Sequence, residues 1–289
     1  MPHTIAVLSQ KGGTGKTTTV RTLADALRRA GVAVLAIDLD PQGNLSDYLD
    51  VPPEADPTIA DVLAGRAKLA EAIHAAPHAD VVPANLSLAE AELMLGGKMG
   101  RELTLRRALA ELTKSAVAKS AVAEGAAADR APAKSARIAP AYEVILIDCP
   151  PSLGLLTVNA LVAADSALIT AEAQYFALQG VEQALQVIEL ARESLNPDLY
   201  VLGILLNLAD MRTVHSREAL VSLKDRFGSD VFDTVVRASI AYAESAERAT
   251  SILDYRPDLG EDYVTLADEV LGRLSGFAGA RGQLAKMVA

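Results

Sequence analysis

The sequence predicts a doubly wound α/β fold, a mostly parallel sheet with helices on both faces. Three observations carry this. Short apolar runs alternate with helical periods along nearly the whole chain, the pattern of right-handed strand–helix–strand units. Two of those runs end in acids, Asp38-Leu39-Asp40 and Asp148, where open α/β sheets place their ligand chemistry. The first run leads directly into the glycine-rich stretch Gln10-Lys11-Gly12-Gly13-Thr14-Gly15-Lys16-Thr17-Thr18. The continuous alternation over 289 residues favours one domain, residues 1–275, over two.

The elements follow in order. Thr4–Ser9 is an apolar run of a buried parallel strand. Thr19–Ala30 places Val20, Leu23, Ala24 and Leu27 on one helical face. Ala33–Ile37 is a second strand, and Leu45–Leu49 a short helix. Pro52, Pro53 and Pro57 mark a loop. Thr58–Ala64 and Lys68–Ala75 read as short helices, Asp80–Ala84 as a strand, and Leu86–Leu95 as a helix stopped by Gly96-Gly97. Arg101–Leu112 resumes a helical period.

Residues 115–140 change character. They are almost entirely Ala, Ser, Lys, Arg and Pro, so they bury little apolar area and predict a mobile surface insertion, helical at its start. Its cations, Lys119, Arg130, Lys134 and Arg137, are partly offset by Glu124 and Asp129. Strand Tyr142–Asp148, helix Leu155–Ala163, strand Ser166–Ala171, helix Leu178–Leu195 and strand Tyr200–Leu208 follow. Helix Ser216–Phe227, strand Val231–Val236 and helices Ile240–Ala249 and Glu261–Leu274 complete the pattern. The Gly- and Ala-rich tail, 276–289, is expected to fray.

Composition narrows the function classes. Hydrophobic residues make up 51% with no Trp and 4% aromatics, so the core is aliphatic. A net charge of −10 leaves no global basic footprint, and any nucleic-acid contact must be a local patch. The single cysteine, Cys149, excludes an intrachain disulfide and a Cys-rich metal site, and suits a reducing cytosol. Cys149 reads as a packing residue. His3, His74, His78 and His215 have no ligand spacing. The first strand begins at once, with no leader pattern, and no apolar run approaches the ~20 residues that span a bilayer.

A glycine-rich turn between a strand and a helix lets backbone N–H groups close around phosphates at the positive end of the helix dipole. Lys16 is then placed to reach the β- and γ-phosphates, and the Thr17 hydroxyl to hold Mg²⁺. The ordinary phosphate-loop pattern needs a glycine five residues before Gly15. That position is Gln10, and a second lysine, Lys11, stands at the mouth of the loop. The strand ending in Asp148 has the arrangement whose carboxylate reaches Mg²⁺, often through water.

With these features the chain resembles the ParA/MinD group of deviant Walker A ATPases, and most closely the ParA-type, Soj-like partitioning ATPases. The resemblance rests on K-G-G-T-G-K-T-T, D-L-D-P-Q-G-N, I-L-I-D-C-P-P-S-L-G-L-L-T-V-N-A-L and Gln174–Val181, and covers nearly the whole chain. It implies ATP and Mg²⁺ as cofactors. Lys11, Gly12, Gly13, Thr14, Gly15, Lys16, Thr17 and Thr18 would cradle the phosphates, and Asn207 would contact the adenine. Lys11 would reach across a nucleotide-sandwich homodimer. Asp40, in the first switch segment, would position the attacking water or support its activation. Thr17, Asp40 and Asp148 form the implied metal set. The implied partners are non-specific DNA and a ParB-type centromere-binding protein that stimulates hydrolysis, in a cytoplasmic, nucleoid-associated setting without stable membrane association.

The C-terminal third departs from the family. Two of its arginines are here Ala238 and Ala241, and both prolines of that motif are lost. Arg212 keeps a family position on the DNA surface, and Arg237, Arg248 and Arg256 are the compensating candidates. A MinD-like membrane-associated ATPase is the alternative reading, and it needs an amphipathic tail that the glycines after Leu274 interrupt. A nicotinamide oxidoreductase is disfavoured because Thr18 replaces its third fingerprint glycine. Nitrogenase-reductase-like electron transfer needs more cysteines, and a bacterial tyrosine kinase a tyrosine cluster at the tail.

Overall fold

In a computed structural model, residues 1–125, 142–174 and 177–288 are described, with the side chains of 116–125 left aside. Eight strands form one sheet: β1 (His3–Leu8), β2 (Val34–Asp38), β3 (His74–Ala75), β4 (Asp80–Val82), β5 (Val144–Asp148), β6 (Ser166–Glu172), β7 (Tyr200–Ala209) and β8 (Val231–Arg237). Their spatial order is β3-β4-β2-β5-β1-β6-β7-β8. Every neighbouring pair is parallel except β3–β4. The fold class expected from the alternation is therefore the one observed.

Helices cover both faces, which is why the central strands are apolar at almost every position. On one face pack α3 (Ile59–Ala64), α4 (Ser87–Leu95), α5 (Thr104–Gly125), α6 (Leu155–Ala163), α7 (Ala177–Ser194) and α8 (Val214–Phe227). On the other pack α1 (Lys16–Arg29), α2 (Asn44–Tyr48), α9 (Ala241–Glu247), α10 (Ile252–Tyr255), α11 (Pro257–Arg273) and α12 (Ala278–Val288). Leu23, Leu27, Leu35, Ile37 and Ile5 are fully buried, and the core is aliphatic as the composition requires.

Register positions the chemistry. Asp38 at the end of β2 lies directly across from Asp148 at the end of β5, and Asp148 pairs in turn with Val7 of β1. The chain turns to opposite sides of β1 with β2 and β6, so the strand order reverses beside the glycine-rich loop, where such sheets bind ligands.

Several expectations change. α1 begins at Lys16, three residues early, because Gly15 in the left-handed region starts the helix immediately. Lys68–Ala75 is not a helix. A single 3₁₀ turn at Leu69–Glu71 leads into β3, whose backbone finds partners on the exposed edge of β4. α5 runs past Leu112 to Gly125, since an Ala-rich stretch has high helix propensity even without a face to bury. The rest of the predicted insertion, with Arg130, Lys134 and Arg137, lies outside the described residues, as do Tyr175 and Phe176 of the Gln174–Val181 motif. The tail expected to fray is placed as a helix. Residues 278–288 form α12, Leu284 is buried, Phe277 and Ala280 pack on the same core, and Arg281 pairs with Asp268 of α11 at 2.8 Å. The glycines of the tail weaken the helix signal, but a few apolar side chains against α11 suffice to hold it.

Candidate active site

The site is built upward from the end of β1. Gly15 takes φ +79°, and a Cβ there would lie 2.4 Å from the Asn207 amide nitrogen. Only glycine fits, on conformational and on steric grounds. The turn aims Lys16 inward. The residue is 6% exposed, and Nζ donates to Ser9 Oγ at 2.9 Å and to the Lys11 carbonyl at 3.2 Å. Ser9 Oγ also accepts from Thr14 Oγ1 at 2.8 Å and donates to the Lys11 carbonyl at 2.8 Å. Thr14 Oγ1 in turn meets Thr170 Oγ1 of β6 at 3.0 Å. Three hydroxyls thus tie the loop to two strands and hold one ammonium at its centre. Burial lowers the Lys16 pKa from its ordinary value, while Asp148, Cys149 and Asp40 pull it back up.

Asp38 and Asp40 stand close together in the chain but have different jobs. Asp38 is fully buried and accepts three hydrogen bonds: from Asp40 N at 3.1 Å, Ser46 N at 3.0 Å and Ser46 Oγ at 2.7 Å. Ser46 Oγ accepts from Ala84 N at 3.0 Å. Asp38 therefore folds the segment after β2, and burial outweighs its donors to push its pKa up to about 6. Asp40 uses one oxygen to accept from Gln42 N at 3.0 Å, which sets the turn and leaves the second oxygen uncommitted. Gly43, at φ +68°, closes this turn where a Cβ would lie 2.9 Å from the Ala84 carbonyl.

Asp148 differs from both. It is 1% exposed, and neither carboxylate oxygen meets a donor in hydrogen-bond geometry. Burial raises its pKa well above the ordinary carboxylate value, and the facing Asp38 raises it further. The Thr17 hydroxyl and Lys16 act in the opposite sense. A buried carboxylate without donors is costly and is the arrangement that a bound cation relieves. Among the described residues no three His, Cys, Asp or Glu side chains converge as a metal cage. The chemistry fits Mg²⁺, which takes one or two protein oxygens and completes its shell with phosphate and water. Thr17, Asp40 and Asp148, the expected set, are the residues that would hold it, with Thr17 and Asp40 both acting on Asp148.

Of the remaining expected residues, Lys11 is exposed at the loop mouth. Gly12 lies close to Pro151 of the segment after β5, a Cβ on it falling 3.5 Å from the Pro151 ring, so that segment touches the loop. Cys149 is buried, its thiol pushed up by burial and by Asp148, a packing residue as expected. Asn207 is expected at the adenine by the resemblance. Its side chain is fully buried beneath the loop. The three arginines proposed for DNA are far from equivalent. Arg212 is paired with Asp210 at 2.9 Å and Arg237 with Asp262 at 2.9 Å. Arg248 has its guanidinium 5.0 Å above the Tyr255 ring. Ser9, Ser46 and Thr170 were missed in the sequence. Ser9, a hydroxyl at the strand end entering the loop, carried a local signal, whereas Ser46 and Thr170 carried none.

A loop after β1, a buried lysine, a hydroxyl at the helix start and an acid at the end of β5 define a phosphate-binding α/β protein of the P-loop class. The AAA domain family model matches residues 2–116 and 131–201. The sporulation initiation inhibitor protein Soj of Bacillus subtilis is 35% identical over 93% of this chain and 98% of its own. The chromosome partitioning protein ParA of Caulobacter vibrioides is 36% identical over 93% of this chain and 94% of its own. The chain belongs to the ParA family of deviant Walker A ATPases. Among solved structures, that of cobyrinic acid a,c-diamide synthase from Mycobacterium smegmatis, with bound ADP and magnesium, matches with 36% identity and a TM-score of 0.70. That match covers 86% of this chain and 93% of the other.

Proposed function

We propose that the chain is a DNA-partitioning ATPase that binds ATP with Mg²⁺ and forms a nucleotide-sandwich homodimer. The dimer binds DNA non-specifically and releases it on hydrolysis, stimulated by a ParB-type partner. The observation that carries the reading is the buried Lys16 ammonium, held at the centre of the loop beside the buried Asp148, whose oxygens meet no donor in good hydrogen-bond geometry, with Lys11 at the mouth. Phosphoryl transfer needs positioning and charge neutralisation more than covalent chemistry. Loop N–H groups and the start of α1 orient the phosphates, and Lys16 offsets their charge. Thr17, Asp40 and Asp148 would hold Mg²⁺, which supplies further neutralisation of the phosphate oxygens. The uncommitted oxygen of Asp40 accepts a hydrogen bond from the attacking water. Lys11 extends toward the partner's phosphates.

A MinD-like membrane role finds little support, because α12 spends Leu284 and the adjoining Phe277 on the core. No helix among the described residues is long and apolar enough to cross a membrane. DNA binding measured with ATP, ADP and no nucleotide against salt is the test. ATP-dependent binding with a steep salt slope is expected. Liposome co-sedimentation without DNA binding would move the reading to the membrane alternative.

A further inference from the structure

Asn207 stands at the end of β7, in register with Glu172 of β6, and the resemblance places it at the adenine. Its surroundings say otherwise. Nδ2 lies 3.0 Å from the Thr14 carbonyl, 3.4 Å from the Gly15 carbonyl and 3.2 Å from Thr19 Oγ1. Two of those acceptors are loop backbone, and the third is in the first turn of α1. The amide oxygen accepts from the next backbone N–H, Leu208 N, at 2.9 Å. That short link goes with a Leu208 φ of +53°, a left-handed conformation that a leucine adopts only when its surroundings impose it. The side chain is fully buried, and the Tyr263 hydroxyl from α11 lies against Asn207 and Thr19 from below, without a hydrogen bond of good geometry.

We infer that Asn207 is a positioning residue for the phosphate loop: its amide N–H groups hold the Thr14 and Gly15 carbonyls so that the loop's own N–H groups face the phosphates. This rests on the phosphate-loop reading above. An amide is required. A carboxylate has the same shape but presents only lone pairs to those carbonyls. Removing Cβ substituents would open space under Gly15 but leave its carbonyl without a donor.

The test separates action through the loop from action on the base. Affinities are measured for Mg·ATP and for Mg·tripolyphosphate, which has no base, on wild type, Asn207→Asp and Thr19→Val, from pH 6 to 8. Loss of the two amide N–H donors, shared among three acceptors, predicts a fall of about tenfold to a hundredfold for Asn207→Asp at pH 8, by the same factor for both ligands. The new buried carboxyl has few donors, so its pKa rises. Protonation toward pH 6 restores one O–H donor, and affinity recovers in that variant only. Thr19→Val, which removes one acceptor that orients the amide, shows a smaller loss, about threefold, again equal for both ligands. The inference is overturned if Asn207→Asp weakens ATP but leaves tripolyphosphate at the wild-type value, which assigns Asn207 to adenine. It is also overturned if Thr19→Val weakens only ATP, or if the loss in Asn207→Asp is the same at every pH. Wild type that binds neither ligand would instead remove the phosphate-loop reading itself.

Discussion

Replacing Asp148 by Asn separates what this carboxylate costs the fold from what it contributes to binding. Asp148 is buried, without a donor in good hydrogen-bond geometry among the described residues, and paired in the sheet with Asp38. Asp38 alone indicates the scale. A rise from 3.8 to about 6 corresponds to roughly 3 kcal/mol of penalty on its charged form. Both pKa values are raised, so the folded state holds these protons more tightly than the unfolded chain. Their contribution to stability is complete below the ordinary carboxylate pKa and is lost as pH rises through about 6 for Asp38 and through the raised pKa of Asp148. Wild type without nucleotide should therefore lose stability as pH rises from about 4 through about 6. Asp148→Asn removes one of the two charges and relieves the other. It should gain about 1–2 kcal/mol at pH 8, some of the benefit being cancelled by the loss of a counter-charge to Lys16. For a chain of this size that is a rise of about 2–3 °C in Tm, shrinking toward zero near pH 4. Saturating Mg·ATP should raise the wild-type Tm and leave the variant nearly unmoved. Thermal melts over this pH range, with and without Mg·ATP, read all of this. A variant that melts below wild type at pH 8, or keeps the wild-type pH slope, would refute the electrostatic argument.

Other outcomes follow from the same structure. Asp40→Ala should bind ATP and turn it over slowly, accumulating DNA-bound dimer; wild-type single-turnover rates would reduce Asp40 to the turn-former that its bond to Gln42 N already makes it. Lys11→Ala should bind nucleotide as a monomer yet fail to dimerise, and sedimentation with ATP decides. Leu284→Ala should cost about 2–3 kcal/mol, because that side chain is 1% exposed; an unchanged Tm would mean that α12 is dispensable to the core. Arg248→Glu should weaken DNA binding and lower its salt slope by roughly 1 per lost phosphate contact, more than Arg237→Glu does, since Asp262 already neutralises Arg237. Equal effects, measured by titration in salt, would show that local pairing does not decide which arginine reaches DNA.

What the sequence by itself determined was everything carried by short-range pattern. Strand runs, helical periods and the residues between them place β1, the glycine loop and α1 in one continuous stretch. The same holds for the acids, since Asp38, Asp40 and Asp148 each end or follow an apolar run. The different roles of Asp38 and Asp40 came with the fold, in which Asp38 accepts from Ser46 N eight residues on. Tertiary structure decided what depends on partners distant in the chain. Asn207 lies 193 residues from the carbonyl it binds, so no local pattern could say that it serves the loop. The tail looked frayed because its glycines depress helix propensity, and propensity yields to packing once α11 offers a face for Leu284. The arginine candidates looked alike as isolated cations. Asp210, two residues from Arg212, and Asp262, 25 from Arg237, became their partners only when loop and helix geometry brought carboxylate and guanidinium to 2.9 Å. Intrinsic preference acts over one or two turns of chain, whereas charge pairing, burial and the donor geometry at Asp148 are set by whatever the fold puts next door.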